Sequence, residues 1–342
     1  MPAESAGRVS PALFTPVLQD RSKPPRLCLV VDTEEEFDWS APFSRDNVDV
    51  SAIAEVGRLQ TVVGRYGLKP TYAIDYPVAS TPSSAARLAE LAARGECHIG
   101  AHLHPWVNPP YAEQISLRTS YACNLGVELE GEKIETLQAA IATRVGVKAR
   151  SYKAGRYGFG ASTAVILERL GFDVDLSVNP HMDFTGDGGP SFRGFTTTPA
   201  TFGTQRRLLE VPCTTGFIGR ARRIGPELRR AASARWLEPF RAVGVLARSG
   251  LLNRVMLSPE GNTLGEMQDL TNTLLAEGLR TFSLTLHSPS LKPGCTPYVR
   301  SVQERDDLLE TIDRYCEYFM GQQNGVPSTP MDVFSQLEGR AA

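Results

Sequence analysis

Three of the chain's five histidines lie within seven residues, in "HIGAHLH". Side chains two apart on a strand point to the same side. His102 and His104 can therefore offer two imidazoles to one ion. With a carboxylate as third ligand and one position left to water, such a pair makes a catalytic site for zinc, cobalt, nickel or iron. His98 stands four residues before His102, a spacing that suits a helix, but it precedes the strand end and reads as structural. The carboxylates are close by in sequence. "LCLVVDTEEEFDW" sets Asp32 and Glu34 at the end of an apolar run. An acid there loses water and needs a partner. Glu35 and Glu36 read as a solvated acidic loop. Other apolar segments also end in ionisable residues: Lys153 and Arg156 in "SYKAGRYG", Asp173 and Asp175 in "FDVDLSV", Glu210 in "RLLEVP" and His287 in "TFSLTLH". Taken singly, His287 would be a satisfied structural histidine, and Lys153 and Arg156 partners of surface acids. Their shared position at segment ends makes them one candidate site.

The elements that must carry these residues alternate in type. Strands are predicted over 26–32, 69–76, 97–103, 149–155, 172–178, 207–213, 254–259 and 281–287. Helices are predicted over 50–67, 83–96, 133–146, 161–171, 226–250, 264–278 and 301–319. About seven strand–helix alternations imply an α/β fold, a parallel sheet with helices outside it. A closed or nearly closed (β/α) barrel fits best, with an open doubly wound sheet as the alternative. Barrel chemistry collects where strands end, which is where the ionisable residues fall. We expect a single domain over 26–324, a flexible lead-in over 1–25 and a tail over 325–342. The basic stretch 215–260 is either an insertion or lid, or a barrel helix with a solvated basic face.

Composition narrows the function. The chain has 342 residues, is 42% hydrophobic and carries a net charge of −2, which gives no electrostatic case for nucleic acid. Its six cysteines form no CxxC pair, which suggests a reducing compartment. No segment approaches the roughly 20 apolar residues of a membrane span, and the N-terminus lacks a signal-peptide pattern. The expected location is the cytoplasm. Neither G-x-G-x-x-G nor a Walker signature follows the first strand, so nucleotide binding has no support.

From about residue 26 to 290, the ordered motifs resemble the NodB-type polysaccharide deacetylases (carbohydrate esterase family four). "VVDTEEEF" is similar to a D-x-E form of the family's first motif, and "GAHLHPW" to a shortened second motif. "KAGRYG" stands where an arginine motif is usual, and "LTLHSPS" resembles the closing motif. The resemblance implies a distorted (β/α) barrel and hydrolysis of an N-acetyl group on a sugar or glycan. It implies one divalent metal, zinc foremost, with cobalt, nickel, iron or manganese as alternatives, held by Glu34, His102 and His104. Asp32 would be the base and His287 the acid. Lys153 or Arg156, together with Asp175 (or Asp173), would hold these two in their working ionisation states. Trp106, Tyr157 and Leu284 would contact substrate, with Leu284 lining the acetyl pocket. Two alternatives remain: a metal-free C–N hydrolase acting on an amide or ureide, and an inactive glycan-binding homologue. Neither the motifs nor the composition addresses oligomeric state.

Overall fold

A computed structural model describes residues 9–233 and 242–339. Its strands are β1 (Thr15–Pro16), β2 (Arg26–Thr33), β3 (Thr71–Ile74), β4 (His98–Leu103), β5 (Ser151–Ala154), β6 (Val174–Asp175), β7 (Ala200–Phe202), β8 (Leu208–Glu210), β9 (Thr215–Ile218), β10 (Asn253–Met256), β11 (Thr281–His287) and β12 (Val326–Pro327). Its α-helices are α1 (Val56–Gly64), α2 (Tyr76–Ser80), α3 (Pro82–Ala93), α4 (Val127–Arg144), α5 (Ala161–Leu170), α6 (Gly225–Ala232), α7 (Ala242–Arg248), α8 (Leu264–Glu277), α9 (Val302–Glu317) and α10 (Pro330–Leu337).

β11, β2, β3, β4, β5, β6 and β8 lie side by side in that order, and each pairing is parallel. β7 and β1 continue past β8 in antiparallel pairing. No strand pair closes the gap between β8 and β11 among the described residues. Single backbone bonds cross it instead: the Thr285 N–H donates to the Leu257 carbonyl at 3.0 Å, and the Leu257 N–H to the Thr214 carbonyl at 2.7 Å. The sheet is thus a curled, incomplete barrel. None of the described helices is long and apolar enough to cross a membrane.

Strand alternation sorts the side chains into two layers. Leu27, Leu29 and Val31 of β2, with Phe282, Leu284 and Leu286 of β11, face the outer helices in the main core. Cys28, Val30, Val174, Leu176, Leu209 and Val211 face inward, where Val333 and Phe334 of α10 pack against them. The segment expected as a tail from 325 is therefore folded. β12 pairs with the start of β2, and α10, begun by a Thr329–Asp332 capping box, supplies apolar side chains to the inner layer. The expected lead-in is also partly built in: Phe14 packs against Phe159, Phe195 and Phe202 beside the β1–β7 pair. Residues 1–8 of that lead-in, and 340–342 of the expected tail, lie outside the described residues.

Other expectations change in detail. The strand expected over 254–259 is β10, which pairs antiparallel with β9 outside the barrel sheet. The basic stretch is the excursion between those two strands. It carries α6 and α7 and is not one barrel helix; residues 234–241 fall outside the described residues. β7 and β9, too short to show a period, were not expected. The strand expected over 172–178 shortens to β6, because from Ser177 the backbone is held by side chains. The Ser177 N–H donates to Asp175 and the Val178 N–H to Glu210.

α4 begins before the expected residue 133, so Glu130 and Lys133 are buried. The Lys133 ammonium donates to the carbonyls of Pro105, Asn108 and Pro110 and fixes the loop that follows β4. Glu130 accepts from Ser162 (2.9 Å) and Thr163 at the start of α5. Burial pushes its carboxyl up to about 7, against the opposing effect of those two hydroxyls. The folded state therefore holds this proton more tightly than the unfolded chain. The corresponding stability is complete below the ordinary carboxylate range and is lost as pH rises through about 7. Glu130→Gln should gain stability over the wild type between pH 5 and pH 8, by about 3 kcal/mol, read as the difference in urea unfolding free energy at the two pH values.

Candidate active site

The inward positions at the strand ends carry the chemistry. In register, Asp32 of β2 neighbours His287 of β11, and His102 of β4 neighbours Lys153 of β5. The loop after β2 adds Glu34, and the residue after β4 is His104. These six side chains line a cavity of about 270 Å³ that is rimmed by Phe37, Trp39, Phe43 and Tyr157.

Glu34, His102 and His104 converge. Glu34 Oε2 lies 3.2 Å from His102 Nε2 and 3.4 Å from His104 Nε2, and all three residues are buried. One ligand atom from each lies within 4.8 Å of the others. The outer ring nitrogens are engaged. His102 Nδ1 donates to the Lys153 carbonyl at 3.2 Å, and His104 Nδ1 pairs with Glu35 Oε2 at 2.7 Å. Burial holds both imidazoles down at about 4, so they are neutral, with bare Nε2 lone pairs turned toward Glu34. Two neutral imidazoles tied from behind and one carboxylate form a donor set that fits a divalent cation. Close approach depends on Gly155, where a Cβ would run into the His104 ring and the Leu103 carbonyl.

Asp32 forms the other half. Lys153 Nζ donates to both its oxygens, at 2.6 and 2.8 Å. Burial alone would raise its carboxyl, but the Lys153 and His287 charges and the Lys153 hydrogen bonds outweigh that and bring it to about 2. His287 Nε2 stands 3.7 Å from Asp32 Oδ2, while its Nδ1 pairs with Glu260 Oε2 at 2.7 Å. Burial would lower His287, but the Glu260 and Glu34 charges and the Glu260 hydrogen bond raise it to about 10.

Several expected residues sit elsewhere. Asp175 does not meet His287. β6 turns Val174 and Leu176 inward and Asp175 to the outer layer, where it binds Ser177 and neighbours Glu210, and burial raises both acids. Asp173 pairs with Arg150 and Arg206. The acid that serves His287 is Glu260, which follows β10. Arg156 lines the rim but pairs with Asp187 at 3.1 Å and lies over Tyr121; Lys153 is the cation on Asp32. Leu284 faces the outer helices, away from the cavity. Trp106 is buried, stacked on His104 at 4.3 Å, with its indole N–H donating to Glu35 at 2.8 Å. It braces His104 from behind and does not line this cavity. Glu35, expected in solvent, is buried among His104, Trp106 and the N–H-accepting Asp75. Glu36 accepts from Ser51 and from the Ala52 N–H near the start of the Ser51–Glu55 turn. His98 begins β4, at the far end of the strand from His102. Tyr157 does reach the cavity, held in a left-handed conformation (φ 59°) after an equally left-handed Arg156 (φ 51°). Of the aromatic rim only Tyr157 was expected; Phe37, Trp39 and Phe43 were missed. Trp39, partly exposed, packs edge-on to His287 and Tyr298 at 5.0 and 5.6 Å.

No family model matches the sequence, and no curated protein matches it. Solved structures do. A Mycobacterium smegmatis protein assigned by inference as a polysaccharide deacetylase has 13% identity and a TM-score of 0.53, covering 95% of this chain and 94% of its own. A 4-alpha-glucanotransferase from Thermococcus litoralis has 11% identity and a TM-score of 0.50 over 92% of this chain and 40% of its own. A fold shared by proteins with such different names does not fix the reaction. What the chain shares with these structures is architecture: its resemblance to the NodB-type polysaccharide deacetylases is that of one distorted, incomplete (β/α) barrel.

Proposed function

We propose that this protein is a metal-dependent hydrolase that removes an N-acetyl group from a sugar or glycan. The observation that carries the reading is one cavity with two differently charged halves. A cation-ready Glu34–His102–His104 cluster faces an ionised Asp32 and a protonated His287. A divalent cation bound there supplies a Lewis acid that acidifies water and polarises an acyl oxygen. The residues do the rest. Asp32, kept ionised by Lys153, takes the proton of the attacking water. His287, kept charged by Glu260, gives a proton to the departing amine. Trp39 and Tyr157 offer flat apolar faces on which a sugar ring can lie.

The test is elemental analysis beside acetate release from acetylated sugars. The wild type should carry one divalent transition metal per chain. His102→Ala and His104→Ala should each lose metal and turnover, while His98→Ala keeps both. Full turnover after exhaustive chelation would point instead to a metal-free C–N hydrolase. Sugar binding without acetate release would point to an inactive homologue.

A further inference from the structure

A second cavity, of about 260 Å³, opens off the β9–β10 ribbon. Arg193, Arg229, Arg230 and Arg254 line it with His181 and Asp183. Asp183 is engaged by Arg193 at 2.7 Å. Among the described residues, no carboxylate pairs with the guanidinium of Arg229, Arg230 or Arg254. Arg254 donates to the His181 carbonyl at 3.0 Å, and His181 Nδ1, also buried, has no hydrogen-bond partner among the described residues. Burial and then the Arg229 charge bring Arg254 down to about 10. Gathering and partly burying like charges is costly, and an oxyanion is the ligand that relieves it. Guanidinium forks match the oxygens of phosphate.

The position ties this cavity to the first. Arg254 is two residues before Met256 in β10, on the same face of the strand. Met256 Sδ contacts the Tyr157 hydroxyl at 3.8 Å and Asn179 Nδ2 at 3.6 Å, and Tyr157 lines the catalytic cavity. Tyr157 also stacks on Phe184 at 5.4 Å, next in sequence to Asp183. Through Met256 and Phe184, Tyr157 is thus in contact with the strand that carries Arg254 and the chain neighbour of Asp183.

We propose that the arginine-lined cavity is a subsite for a phosphoryl group carried by the substrate, so that the acyl sugar enters as a phosphorylated or phosphodiester-linked sugar. This rests on the deacetylase reading above, but the anion site itself can be tested without it. Inorganic pyrophosphate binding, measured by calorimetry, should persist in the His102→Ala/His104→Ala double variant, which excludes capture by a bound metal. It should weaken at least tenfold in Arg254→Met and in Arg229→Met. Absence of binding to the wild type, or unchanged binding in both arginine variants, would overturn the proposal. In kinetics, the KM ratio between a neutral acetamido sugar and its phosphate should fall at least tenfold in Arg254→Met. An unchanged ratio would reject the substrate subsite. If no acetamido sugar is turned over at all, the deacetylase reading fails while pyrophosphate binding still decides the anion site. A sugar 1-phosphate and a nucleoside diphosphate sugar, run in parallel, separate a terminal phosphate from a bridging one.

Discussion

Replacing His287 by alanine should lower kcat on an N-acetyl substrate by roughly 10²–10⁴-fold, the usual worth of a general acid. An amine leaves poorly unless protonated, and the Glu260 carboxylate 2.7 Å from His287 Nδ1 keeps the imidazole charged. The loss should shrink on an acetate ester of an activated phenol, whose leaving group needs no proton. Equal losses on both substrates would make His287 an orienting group. Glu260→Gln separates the two roles further. It keeps a hydrogen-bonding side chain but removes the charge, so the His287 pKa should fall from about 10 toward the ordinary imidazole range. Because the rate needs the protonated form, the alkaline limb of the kcat profile should move to lower pH. A limb that stays in place would rule out Glu260 as the group that charges His287.

Lys153→Met should destabilise the metal-free protein by about 3–5 kcal/mol, because it strands a buried carboxylate without its counter-ion. Both members of the pair are nearly inaccessible, with side chains 1% and 6% exposed. The double variant Asp32→Asn/Lys153→Met should recover much of that loss, since two neutral side chains need no mutual neutralisation. Neither variant should turn over substrate. Urea unfolding in the presence of chelator gives the stabilities free of any contribution from bound metal. If the double variant is no more stable than Lys153→Met, the cost lies in lost packing and not in an unpaired charge.

Much of the site was legible because it sits on strands long and apolar enough to display a period. β2 and β4 place Asp32, His102 and His104 by alternation alone, and the barrel brings their ends together. What escaped depended on register or on loops. Asp175 is one residue from an inward position, and β6 is only Val174–Asp175, so the strand itself shows no parity. Pairing of Ser151 with Val174 sets it. Leu284 failed for a different reason: it stands three residues before His287, so on the seven-residue β11, alternation itself turns it to the opposite face. Glu260 sits in a loop after a strand that is not part of the barrel sheet, and nothing local marks it. Glu35 looked solvated because it lies in a run of acids. Only the fold brings Asp75, His104 and Trp106 around it.

The placement of β2 bears on how the protein must be made. This strand bears Asp32, and Glu34 follows directly in its wake, yet only its β3 neighbour is close in sequence. β11, along its whole length, and β12, at its start, are both supplied by the last part of the chain. During synthesis, the strand that leads to both acids is therefore an open apolar edge until almost everything else has been translated. Such late, long-range pairing folds slowly and leaves an aggregation-prone rim exposed meanwhile. Cutting the chain before β11 would leave that edge permanently bare.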